Sequence, residues 1–322
     1  MSSPGNLGDL IDDVADVTAR CEPVIWGFGV GGTLSGLIRT GRLRRRPELV
    51  QRVVDLVSPS LTAAPGPTDH LIAVEALRAL AEVRPDLYVT AAYARWLDAV
   101  RRSARPVPDQ PPVHRSDLAA WRNTIWVDCM HTDGPGLAVL GYPDEAVRYA
   151  TEYAAALQLH NGLFQHGYDV ETRRGNGVTW GRGQAWALLG LVDTLRHIPD
   201  DGLASRLTRL VEALAGHEDD GRWHTVVDDP AAPIESSVSA YLAFGIPGAI
   251  ELGLVDADFQ GMADRAFGAT LRHLYGGGLP VSEATPVGTA AEYHDRALGI
   301  FPWGQAPVLH ALLDRWKGKG ES

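Results

Sequence analysis

At 322 residues the chain exceeds the usual single-domain size, so it forms either two ordinary domains or one large closed architecture. With 45% hydrophobic and 21% charged residues it can bury a substantial core, which excludes a disordered polymer. A formal charge of −11 excludes a partner held through phosphates, because nucleic-acid binding needs a basic face that releases counterions.

Residues 1–12 are polar and acidic, without the basic and apolar regions of a secretory leader, and no apolar run reaches bilayer length. No membrane association and a cytoplasmic location are expected. Cys21 and Cys129 lie far apart and lack metal-ligand spacing, which supports a reducing compartment, no disulfide framework and no metal.

Apolar residues recur at helical spacing, and few segments alternate as strands do. Between Gly, Pro, Asp and Ser signals, helices are predicted near 7–20, 28–40, 47–57, 69–82, 88–102, 127–140, 143–158, 181–197, 203–216, 237–252, 257–273 and 303–317. The basic run Arg42 to Arg46 reads as a solvated connection, and Gly134-Pro135-Gly136 is expected to interrupt the sixth helix. Connections after even-numbered helices are short, whereas those before them are long. Every second connection of an antiparallel helical chain lies at the same end, so one end is plain and the other carries the elaborate loops. A closed ring of six helix pairs follows, and no composition break divides it.

The conspicuous polar and aromatic residues fall on the long loops or the turns just after them: Trp26, Phe28, Asp69, Asp128, His131, His166, Asp169, Trp180, Arg182, Trp186, Trp223, Glu235, Tyr293, Asp295 and Trp303. An acidic mouth lined by Trp, His and Asp suits carbohydrate. Indole faces stack on sugar CH surfaces, and carboxylates bind hydroxyls and move protons. Trp96, Trp121 and Trp316 read instead as packing residues.

Asp128 follows Trp126-Val127 and begins a helix, so it is either an N-cap or a partly desolvated acid suited to general acid catalysis. Asp69 offers the same two readings, with Thr68 competing as the cap. Arg182 is either the grip for an anionic substrate or one half of an internal ion pair with Asp169 or Glu235. The loop Gly175-Asn176-Gly177 lacks the context and Lys-Ser/Thr ending of a phosphate loop, so nucleotide binding is not expected.

These residues carry a resemblance to the unsaturated rhamnogalacturonyl and unsaturated glucuronyl hydrolases, glycoside hydrolase families 105 and 88. It runs through Trp26-Gly-Phe28-Gly, Ser35-Gly-Leu-Ile-Arg39, Asp69, Ile125-Trp-Val-Asp128 to Gly134-Pro135, Gly162-Leu-Phe-Gln-His166-Gly-Tyr-Asp169, Trp180-Gly-Arg182-Gly-Gln-Ala-Trp186, Glu235-Ser-Ser237 and Val287-Gly-Thr289 near Tyr293. The resemblance implies an all-α (α/α)6 barrel of six helical hairpins, a single domain over 1–322. It also implies removal of an unsaturated uronic acid from the non-reducing end of a short oligosaccharide, by hydration of the C4=C5 vinyl ether and without a cofactor. Asp128 would be the general acid and base and Asp69 its assistant. Trp26, Phe28, His131, His166, Trp180, Arg182, Trp186 and Tyr293 would bind a small carbohydrate bearing a carboxylate, in a monomer or homodimer. Phe28 stands where relatives of the rhamnogalacturonyl type have tyrosine. His131 and Asp133 replace less polar residues, which points to a changed aglycone or donor. Alternatives are an inverting glycosidase using Asp69 and Asp128, a repurposed relative acting on a small natural product, and a non-catalytic sugar-binding protein.

Overall fold

The computed structural model describes residues 6–22, 30–61 and 74–317. Trp26, Phe28 and Asp69 lie outside the described residues.

Two kinds of helix alternate along the chain, and their burial follows from their residues. α1 (Leu7–Arg20) hides one stripe, Ile11, Val14, Ala15 and Thr18, and the Asn6 side chain caps it by accepting from the Gly8 N–H. α9 (Asp201–Ala215) likewise hides Leu203, Leu207, Leu210, Val211 and Leu214 behind an Asp200 cap. By contrast α8 (Gly181–His197) is buried at 14 of its 17 residues, as expected of a helix covered on all sides.

The enclosed helices are α2 (Val30–Leu43), α4 (Val74–Val83), α6 (Cys129–Val139), α8, α10 (Ser236–Glu251) and α13 (Pro302–Lys317). Each packs on the next, and α13 closes onto α2. The outer helices are α1, α3 (Pro47–Val57), α5 (Thr90–Arg101), α7 (Pro143–Leu157), α9 and α11 (Gln260–Arg272). The architecture is therefore an (α/α)6 barrel. A cavity of about 100 Å³ lies on its axis, with walls from all six inner helices: Ser35, Glu75, His131, Asp193, Tyr241 and His310 each come from a different one.

Short connections such as 140–142 and 198–200 join inner to outer helices at one end. The long ones at the other end carry two small antiparallel sheets. The first, in the order β1 (Thr124–Trp126), β2 (Gly167–Asp169) and β3 (Arg174–Gly175), sits beside α6. The second pairs β4 (Pro280–Ser282) with β5 (Leu298–Ile300), and a short helix, α12 (Ala290–His294), lies between them in sequence.

One expectation is corrected: α6 runs unbroken through Gly134-Pro135-Gly136. An internal proline removes a helical hydrogen bond and crowds the preceding turn. Here the segment is fully buried against α7 and α8, and α10 and α13 also carry internal prolines, so ring packing overrides local propensity.

Candidate active site

Backbone pairing at the mouth brings the central groups together. β1 and β2 align Trp126 with Gly167, and the Val127 N–H donates to the His166 carbonyl at 2.8 Å, so Asp128 and His166 emerge side by side. Gln184 holds the other flank, accepting from the Phe164 N–H and donating to the Phe164 carbonyl, both at 2.7 Å. Two glycines on one face of α8 let α6 come close. A Cβ at Gly183 would meet Val127 Cγ1 at 2.6 Å, and one at Gly190 would meet the Met130 carbonyl at 2.0 Å.

Asp128 occupies the N-cap position of α6, yet its side chain makes no capping hydrogen bond. An N-cap role for this residue therefore lacks its defining contact. Its side chain is 13% exposed, and Oδ2 lies 3.3 Å from His166 Nε2. That separation is within ion-pair range, but the alignment misses hydrogen-bond geometry, which leaves Oδ2 buried without a hydrogen bond. A buried polar atom in this condition is unusual and costly in a purely structural role.

Around the pair is a shell of rings. The His166 ring packs on Trp180 with centroids 4.3 Å apart and meets Tyr293 edge-on at 5.6 Å. One turn along α6 from Asp128, His131 stacks on Trp186 at 5.0 Å, and Trp186 packs on Tyr241 at 4.9 Å. Burial pushes His131 down to about 4 despite the nearby Asp128 charge, so it is neutral at physiological pH. His131 Nδ1 finds no hydrogen-bond partner among the described residues. His131, Trp186 and Tyr241 all line the axial cavity.

Further along the cavity, Glu75 and Asp193 face each other. Burial and the mutual charge hold Asp193 well above the ordinary carboxylate range, and burial raises Glu75 too. Neither acid stood out in the sequence, because each sits among apolar residues, Glu75 in the first turn of α4 and Asp193 within α8. Only closure of the ring juxtaposes them.

Several sequence expectations change. Arg182 is 2% exposed, and its guanidinium is held from within. Nη1 faces Glu235 at 3.5 Å and donates to the Ser282 carbonyl at 3.1 Å, while Nη2 donates to the Glu283 carbonyl at 2.8 Å. The group is sandwiched between Trp180 and Trp303, at 4.7 and 5.6 Å from their ring centres. Burial lowers its affinity for its proton, and the Glu235 charge opposes that. The internal pair with Glu235 is thus realised. The pair with Asp169 is not, since the Asp169 carboxylate turns to Thr172. Tyr293, expected among the substrate-binding residues, is 1% exposed and stands behind His166. Trp223 is fully buried, with its N–H on the Leu214 carbonyl.

Asp133, whose polarity pointed to a changed aglycone or donor, centres a second buried cluster. It takes His114 Nε2 at 3.1 and 3.2 Å, the Tyr153 hydroxyl at 2.7 Å and the Thr132 hydroxyl at 2.6 Å. Cys129 Sγ lies 3.2 Å from His114 Nδ1. Burial opposes charge on His114, but Cys129 and Asp133 more than offset it and hold the imidazole well above the usual histidine value.

Among the described residues, no group of three or more His, Cys, Asp or Glu is arranged to hold a metal ion, and no helix is long and apolar enough to cross a membrane.

The whole ring has known counterparts. A structure described as a possible member of the GH105 family from Salmonella enterica superposes with a TM-score of 0.87 at 20% identity, covering 99% of this chain and 97% of that one. The unsaturated glucuronyl hydrolase from Bacillus sp. GL1 gives a TM-score of 0.72 at 18% identity, covering 97% of each. At these identities the likeness concerns the fold. In sequence, the chain is 28% identical to the unsaturated rhamnogalacturonyl hydrolase YesR of Bacillus subtilis over 171 residues, 49% of this chain and 47% of that protein. It is 29% identical over 134 residues to protein Atu3128 of Agrobacterium fabrum, 36% of this chain and 58% of that one. The chain thus spans about half the length of the curated relatives it matches. The family profile described as Glycosyl Hydrolase Family 88 matches residues 14–318 and so takes in the ring and its mouth. On that match, the chain belongs to glycosyl hydrolase family 88.

Proposed function

We propose that the protein hydrolyses a short oligosaccharide ending in a 4,5-unsaturated uronic acid, with Asp128 as the acid and then the base. The observation that carries this reading is the Asp128 side chain. It stands at a helix start without capping the helix, has a buried oxygen lacking a hydrogen bond, and is ringed by His166, Trp180 and His131 at an aromatic mouth. Family membership and the name of the YesR relative support the substrate class.

The substrate is a cyclic vinyl ether. Asp128 gives its proton to C4, and positive charge develops at C5, where the ring oxygen shares it. Water then adds to C5 and yields its proton to the Asp128 carboxylate, which restores the acid. The resulting hemiketal opens by breaking the C5–O5 bond. This leaves a ketone at C5 and a hemiacetal at C1, which collapses to the aldehyde and releases the aglycone sugar as an alcohol. One carboxyl group serves both proton transfers.

Trp180 and Trp186 are buried and back the rings of His166 and His131, and His131 supplies a neutral polar edge to the sugar. Asp69 is assigned the assisting role, and Trp26 and Phe28 a binding role, on the resemblance alone. Arg182 acts from inside, fixing Trp180 against β4. Incubation with unsaturated disaccharides from pectin, chondroitin and heparin tests the proposal, because hydration removes the alkene and its ultraviolet absorbance. Loss of absorbance with at least one of them is expected. Unchanged absorbance across the panel, together with turnover of saturated glycosides, would instead favour an inverting glycosidase.

A further inference from the structure

We infer that Tyr293 and Asn176 set the tautomer of His166, and thereby determine which oxygen of Asp128 carries the catalytic proton. The inference rests on the proposed role of Asp128 and adds two positioning residues behind it.

The donor directions can be followed outward from the backbone. Asn176 Oδ1 accepts from the Gly167 N–H at 3.1 Å and the Val178 N–H at 3.3 Å. Both are obligate donors, so they fix the orientation of the amide. Its Nδ2 therefore points the other way, donating to the Gly288 carbonyl at 3.0 Å and to the Tyr293 hydroxyl oxygen at 3.2 Å. The Gly288 N–H also approaches that oxygen, at 3.4 Å. With two donors aimed at it, the Tyr293 oxygen must direct its single proton elsewhere. Its remaining neighbour is His166 Nδ1, at 2.6 Å. Burial raises Tyr293 above the usual phenol value, so this proton is retained.

His166 Nδ1 is then an acceptor, and the ring hydrogen sits on Nε2, the nitrogen 3.3 Å from Asp128 Oδ2. Oδ2 thus faces a donor. When Asp128 is protonated, its hydrogen belongs on Oδ1, directed away from His166. After the proton has left, the Nε2–H stabilises the carboxylate. Loose alignment between such partners before reaction is common, and they tighten as charge develops. Tyr293 is buried and Asn176 is half-buried on the far side of the His166 ring, so neither needs to touch the sugar.

Nuclear magnetic resonance of enzyme labelled with ¹⁵N-histidine reads the tautomer directly and needs no substrate. The His166 signal is assigned by its disappearance in His166→Gln. In the wild type, Nε2 should carry hydrogen and Nδ1 should not. Tyr293→Phe keeps the ring but loses the donor. It should populate the Nδ1–H form and lower kcat by about 10- to 100-fold with little change in KM, less than the roughly 10⁴-fold lost when a catalytic triad is left in the wrong tautomer. Asn176→Asp should have the same effect on the tautomer, since its carboxylate would draw the Tyr293 proton away from His166. A wild-type ring bearing hydrogen on Nδ1 alone would overturn the inference. So would a Tyr293→Phe enzyme that keeps both the Nε2–H signal and its kcat, or one that changes tautomer without losing rate. Failure to process any unsaturated uronide would sink the proposed function but leave the tautomer result standing.

Discussion

Two clusters made of the same residue types sit five positions apart on α6, and they are used in opposite ways. Asp133, His114 and Tyr153 form a closed set in which both carboxylate oxygens are occupied. Asp128, His166 and Tyr293 form an open set, with tyrosine bound to histidine but one aspartate oxygen left without a hydrogen bond. Saturation makes the first a fastening between α6, α7 and the 102–123 loop. Incompleteness is what marks the second as the proposed site. Composition therefore does not separate structure from chemistry here, whereas the count of satisfied polar atoms does.

Exchanging the carboxylates should break the comparison most sharply. Asp128→Asn keeps the shape and loses the proton, so kcat/KM should fall by about 10³-fold or more, within the usual range for removing a general acid, with the melting temperature almost unchanged. Asp133→Ala should do the reverse. Removing one partner of a buried charge network costs about 3–5 kcal/mol, which is about 4–7 °C in melting temperature for a chain of this size, and the folded fraction should keep most of its kcat. Calorimetry beside initial rates checks both. If Asp133→Ala melts normally but is inactive, the assignments of the two clusters are inverted.

Arg182→Lys tests whether the guanidinium braces the mouth or grips the substrate. Lysine keeps the charge but not the planar fork, so about 2 kcal/mol of stability and roughly 3 °C should be lost, with KM changed less than about threefold. A large KM rise confined to uronyl substrates, without a thermal effect, would restore the carboxylate grip. The smallest effect is expected at the cavity. Asp193 is raised in the folded chain, so its contribution to stability is complete at acid pH and is lost as pH rises past the ordinary carboxylate range. Asp193→Asn should therefore melt about 2 °C higher than wild type at pH 8, the difference fading as the pH is lowered. A pH-independent difference would mean that Asp193 is not raised in the folded chain.

The helical ring was legible because each helix carries its own period and its own stops, and because long and short connections alternate. The interruption expected at Pro135 was misread, since packing from two neighbours outweighs a local breaker. β1 to β5 are two or three residues long, too short to show alternation. At the site, Asp128, His166, Trp180 and Trp186 stood out in the sequence and converge in space. The sequence showed Asn176 only as part of a glycine-flanked loop, and it could not separate Tyr293 behind the site from a residue lining it. The His166–Tyr293 bond joins positions 127 residues apart. Likewise Asp133 and Asp128 look alike in sequence, and only their partners, supplied by other segments of the chain, tell them apart.

In the proposed reaction the incompletely satisfied aspartate is the proton donor to a carbon–carbon double bond. The most direct measurement follows the alkene absorbance of an unsaturated uronyl disaccharide with wild type, Asp128→Asn and Asp133→Asn in parallel. Rapid loss is expected with wild type, none above background with Asp128→Asn, and loss with Asp133→Asn wherever that protein remains folded. Undiminished loss with folded Asp128→Asn would contradict that role.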